Sequence, residues 1–137
     1  MDECSLWIDE FINLDFSMYD KNPVIIYQSP PILIRKGTKI KLEVTFLKGD
    51  WNCGALICKY SGKLILRLTK KTTGEAYEFT VPYQFESSLG PTSEVEGSKT
   101  IEAKPISGGK YYLQILIPPG KKYSGYVKAA IKAYICK

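Results

Sequence analysis

Lys39-Ile40-Lys41-Leu42-Glu43-Val44-Thr45-Phe46 decides the fold. Apolar and polar side chains alternate through all eight positions, and a period of two is that of a strand with one face buried and the other in water. Lys48-Gly49-Asp50 ends the run. Working outward, the same period recurs in Val127, Ala129, Ile131, Ala133 and Ile135, in Leu113, Ile115 and Ile117, a run stopped by Pro118-Pro119-Gly120, and in Tyr77, Phe79 and Val81, a run stopped by Pro82. Ala55 to Tyr60 and Lys63 to Thr69 flank Ser61-Gly62, which reads as a two-residue hairpin connection. Shorter runs at Val24 to Gln28, Ile32 to Ile34 and Lys99 to Ala103 bring the total to about eight strands. The expected fold is all-β, an antiparallel β-sandwich of jelly-roll or immunoglobulin-like type. Glu86 to Ser98 is turn-rich and reads as a long loop, and Lys121-Lys122-Tyr123-Ser124-Gly125 as a second.

Charge divides the chain. Residues 1–20 carry Asp2, Glu3, Asp9, Glu10, Asp15 and Asp20 with no base, whereas residues 21–137 hold all 19 Lys and Arg against the remaining 8 acids. The acidic segment is also apolar (Leu6, Trp7, Ile8, Phe11, Ile12, Leu14, Phe16, Met18), so it is expected to bury itself against a basic surface, its own or a neighbour's. Residues 1–20 therefore form an N-terminal arm or first strand, and 21–137 the sandwich domain. Cys4, Trp7, Ile8, Phe11 and Ile12 sit at helical spacing and Ile12, Leu14, Phe16 and Met18 at strand spacing, so a short helix running into a strand satisfies both. If the arm is an intersubunit contact, deleting residues 1–20 leaves a folded but dissociated domain; if it is a core strand, deletion unfolds the chain.

At 137 residues, with 45% hydrophobic and 24% charged side chains, the composition is that of one globular domain able to build a core without metal or staples. No apolar run approaches the roughly 20 residues of a membrane span. The acidic start, Met1-Asp2-Glu3, is unlike a signal peptide, and the chain is expected to be intracellular at synthesis. Lys outnumbers Arg 17 to 2, Ile and Tyr are abundant and His is absent, a bias in keeping with hyperthermophile proteins. In this bias and its strand pattern the chain resembles small β-sandwich structural proteins of thermophilic archaeal viruses. The resemblance implies a structural role, with a virion or the host cytoplasm as the expected location, and carries no site residue with it.

Four cysteines, Cys4, Cys53, Cys58 and Cys136, form no paired Cys-x-x-Cys pattern. Cys53 and Cys58 would lie up to ~16 Å apart along an extended strand, too far for a bridge unless Gly54 curls the backbone. A Cys4–Cys136 disulfide would tie the termini together, with reduced, buried thiols as the alternative. A four-thiolate zinc site would require the fold to gather all four cysteines.

Having no His removes the commonest general base, Ser-His and Cys-His nucleophile pairs and imidazole metal ligands. Glycines are isolated, without a phosphate loop. No catalytic residue, metal ligand or cofactor is expected, and the chain reads as a non-enzyme. The features that could carry binding are Trp7, Phe11 and Phe16 of the arm and Tyr126, Lys128, Lys132 and Tyr134 on the outward face of the last strand. Together they point to association with other protein subunits, as a homo- or hetero-oligomer. The competing reading is a monomeric module binding nucleic acid or carbohydrate through a Lys- and Tyr-rich sheet face, including Lys63, Arg67 and Trp51.

Overall fold

The computed structural model describes residues 3–15, 23–52, 57–88, 92–96, 98–105, 107–118 and 124–136. They form ten strands and no helix: β1 (Cys4–Asp15), β2 (Val24–Gln28), β3 (Ile32–Ile34), β4 (Lys39–Asn52), β5 (Ile57–Lys70), β6 (Ala76–Ser88), β7 (Thr92–Glu96), β8 (Ser98–Ala103), β9 (Gly109–Ile117) and β10 (Ser124–Cys136). The short helix allowed for the arm is absent; β1 is a strand from Cys4 onward.

All pairings are antiparallel. One sheet runs β1-β10-β4-β8 and the other β2-β9-β5-β6, with β3 also on β9. β7 joins them, pairing with β4 at Lys48 to Asp50 and with β6 at Gln84 and Phe85. β2 and β3 are one strand interrupted at Ser29-Pro30-Pro31, since β2 lies along Gln114 to Ile117 of β9 and β3 along Gly109 to Tyr111. Prolines supply no N–H, and Ser29 fills the gap: its N–H donates to Leu113 O (2.9 Å) and its Oγ accepts from Leu113 N (2.8 Å). β7 and β8 likewise lie end to end along β4. Counted this way the sandwich has eight strands, with first beside last in one sheet and the second sheet interleaved. That order is the jelly roll rather than the immunoglobulin-like arrangement.

The alternating runs do what their period requires. Ile40, Leu42, Val44 and Phe46 of β4 and Ala129, Ile131 and Ala133 of β10 face Leu64, Leu66 and Leu68 of β5 and Leu113 and Ile115 of β9, all buried in one core. The hairpin expected at Ser61-Gly62 does not exist; β5 runs straight through it. Gly62 stands opposite Tyr83 of β6, and a Cβ there would collide with Cζ and Oη of the Tyr83 ring. The glycine makes room for an aromatic ring, which itself packs on Phe46 at 4.7 Å between centroids. The chain turns later, at Lys71-Thr72-Thr73-Gly74-Glu75, where Gly74 takes φ +75° and Lys70 N donates to Glu75 O (2.8 Å).

Two further expectations change. Pro82 does not stop its strand. Among the described residues β6 is unpaired on that side until Gln84, so no ladder partner there awaits the missing N–H, and Lys99 Nζ serves the nearby Thr80 carbonyl (3.0 Å). Most of the stretch read as a loop, Glu86 to Ser98, is strand: the end of β6, then β7, then the start of β8. Of the second expected loop, residues 121–123 lie outside the described residues and Ser124 and Gly125 open β10; 53–56, which include Cys53, also lie outside the described residues.

Candidate assembly interface at the open edge

β1 lies on its own β10. The register runs from Cys4 opposite Cys136 to Asp15 opposite Tyr126, broken by a bulge at Trp7. The bulge turns two successive side chains inward, so Trp7, half-buried, packs on the core next to buried Ile8. Trp7 is therefore not an open ring awaiting a partner. Ile12 is buried further along the strand, and Leu6, Asp9, Phe11 and Asn13 are exposed.

On the outer face of this sheet the arm's charge meets that of the body within one chain. Asp9 stands opposite Lys132, which on its other side stands opposite Glu43 of β4; Leu6, Tyr134 and Lys41 form the next row. Lys41 pairs with Glu43 (3.4 Å) and Lys39 with Glu102 (3.7 Å). Lys128 Nζ sits 5.5 Å from the centroid of the Phe11 ring, within cation–π range. Of the residues expected to bind, Phe11, Lys128, Lys132 and Tyr134 are thus brought together on the β1–β10 surface. Tyr126 is placed by its backbone alone, opposite Asp15 and Asp50, and Phe16 lies outside the described residues. Trp51 is placed by its β4 backbone, opposite Gly125.

The two lateral sides of the sandwich differ. On one, β7 bridges β4 to β6 and closes the gap between sheets. On the other, among the described residues, β1 and the β2/β3 strand end their sheets with no further strand paired to them. Tyr27 of β2 has its pKa raised, first by burial and then by the Glu10 carboxylate of β1. The exposed large hydrophobic side chains all fall on this open side, among the described residues: Leu6 (54%) and Phe11 (68%) on β1, Ile25 (49%) on β2 and Leu33 (67%) on β3. Elsewhere the outer face of the second sheet carries a polar row, Gln114 Nε2 donating to Gln28 Oε1 (3.0 Å) and Arg67 Nε to Glu78 Oε1 (2.8 Å). Ile25 and Leu33 did not emerge from the sequence as contacts. Val24 to Tyr27 and Ile32 to Ile34 are unbroken apolar runs, and an unbroken run does not say which side faces out.

Cys4 and Cys136, paired in register, form a disulfide with Sγ atoms 2.02 Å apart. Cys58 is placed by its β5 backbone. Among the described residues no three His, Cys, Asp or Glu side chains cluster as metal ligands, and no helix is long and apolar enough to cross a membrane.

No protein-family model matches the chain. No curated protein matches it either. Among solved structures it is similar to a chain in the cryo-EM structure of the giant freshwater prawn Macrobrachium rosenbergii extra small virus virus-like particle, at 11% identity and a TM-score of 0.24, covering 97% of this chain and 79% of that one.

Proposed function

We propose that the protein is a non-enzymatic structural subunit that works by associating with other protein subunits, copies of itself first, as a component of a virion or comparable shell. The observation that carries this reading is the placement of Leu6, Phe11, Ile25 and Leu33 on the strands that end the two sheets at the lateral side that β7 does not bridge. A monomer has no reason to gather its exposed apolar side chains along open sheet edges, where they favour strand pairing with another chain. Jelly rolls serve as capsid domains among other uses, and the composition resembles that of viral structural proteins. The chain's lack of His agrees with a role that needs no general base.

The β1 edge suits pairing with its own twofold mate. Antiparallel pairing centred on Phe11 sets Asp9 against Asn13, Glu10 against Ile12 and Asp15 against Trp7, so no acid opposes an acid. A shift of one residue, centred on Ile12, sets Asp9 against Asp15. Charge thus selects the register, and burial of Phe11 and its neighbours supplies the affinity.

Light scattering at low and high salt tests the reading. A defined oligomer is expected from the full chain, and a monomer with an unchanged melting temperature from Phe11→Glu, which places two charges face to face at the centre. A full chain that stays monomeric at both salt concentrations overturns assembly with itself.

A further inference from the structure

The lysines of the β10 face have acidic or aromatic neighbours, which leaves that face poorly suited to a polyanion. One end of the sandwich is different. Three loops meet there: residues 35–38 between β3 and β4, 71–75 in the β5–β6 turn, and 104, 105, 107 and 108 between β8 and β9. They are packed on one another. Lys71 N donates to Lys110 O (2.8 Å), Lys70 Nζ donates to Ser107 Oγ (3.1 Å), and a Cβ on Gly108 would lie 3.2 Å from Lys36 N. The packing gathers Arg35, Lys36, Lys70, Lys71, Lys104 and Lys110, against which the loops themselves supply a single acid, Glu75. Arg35, Lys36, Lys71, Lys104 and Lys110 are exposed, and none forms an ion pair among the described residues.

We propose that this end is a nucleic-acid site that tracks the phosphate backbone. Six cations drawn together against a single acid repel one another, and a polyanion relieves that repulsion. The remaining side chains of the loops fit phosphate rather than protein. Thr38, Thr72, Thr73 and Ser107 carry hydroxyls of the kind that hydrogen-bond phosphate oxygens, glycines bring the backbone close, and no aromatic residue is present in the three loops to anchor a protein partner or read a base. Binding is therefore independent of base sequence and steeply dependent on salt.

The experiment is fluorescence anisotropy of a labelled 20-base-pair DNA duplex titrated with the full chain over a salt series. The comparison variants are Lys36→Ala/Lys71→Ala/Lys110→Ala and, on the β10 face, Lys128→Ala/Lys132→Ala. The expected result is that log affinity falls linearly with log salt, that the loop variant loses about one unit of slope for each lysine removed, and that the β10 variant keeps the slope of the parent. Melting temperatures equal to the parent's establish that both variants are folded, and a rise in the parent's melting temperature on adding duplex is an independent readout. Three results overturn the proposal: no binding at low salt, an unchanged slope in the loop variant, or a poly-glutamate peptide competing as well as the duplex, which would assign the site to an acidic protein.

Discussion

Gly62 shows how much a single residue can mislead and then explain. Glycine beside serine between two apolar runs is the usual mark of a turn, yet here it lies inside a 14-residue strand because Tyr83, directly across, occupies the space of its missing side chain. Nothing local distinguishes the two uses; the deciding residue is on another strand. Gly62→Ala is expected to force the Tyr83 ring off Phe46 and to destabilise the fold by about 1–3 kcal/mol, the range for overpacking a filled site. A urea midpoint lower than the parent's, partly restored by trimming the ring in Gly62→Ala/Tyr83→Leu, checks this. The outward positions were easier to read. Lys128, Lys132 and Tyr134 follow from the alternation of β10, but the neighbours that temper the lysines, Phe11, Asp9 and Glu43, depend on strand register, which the period does not supply.

At the level of the strand, β1 explains its own ambiguity. A bulge advances the phase by one residue, so inward positions fall at Trp7, Ile8 and Ile12, a spacing that mimics a helix while every residue is extended. The same strand supports the second of the two outcomes set out for truncation. Ile8 and Ile12 are core residues and β1 covers β10 along nearly its whole length, so deleting residues 1–20 would open the core and expose a second sheet edge. That deletion is expected to abolish cooperative thermal unfolding rather than release a folded domain, and Ile12→Ala alone to cost about 2–5 kcal/mol. A truncated chain that keeps a sharp transition would show β1 to be dispensable in its own sandwich. Strongly alternating strands were legible; β7 and the start of β8 were not, because Thr92 to Glu96 is polar and the turn-rich residues around it resemble a loop. What makes β7 a strand is the pair of sheets it bridges.

On the scale of the whole molecule, the sequence conveyed a sandwich of about eight strands but not its winding, because strand order depends on contacts between distant segments. The bond between Cys4 and Cys136 spans 132 positions and joins the first strand to the last, which the jelly-roll order makes neighbours. By loop-closure entropy, reducing it is expected to lower stability by up to ~5 kcal/mol. A melting temperature that falls with reductant in the parent and not in Cys4→Ser/Cys136→Ser is the check. While the bond is intact, β1 cannot leave for a neighbouring sandwich without carrying β10's end along, so exchange of arms between subunits would require reduction first. The bond also has a mechanical consequence. A pull applied through whatever precedes Cys4 and follows Cys136 bypasses every strand: the load passes across one sulfur–sulfur link at a single corner, and the sandwich hanging from that corner bears none of the tension.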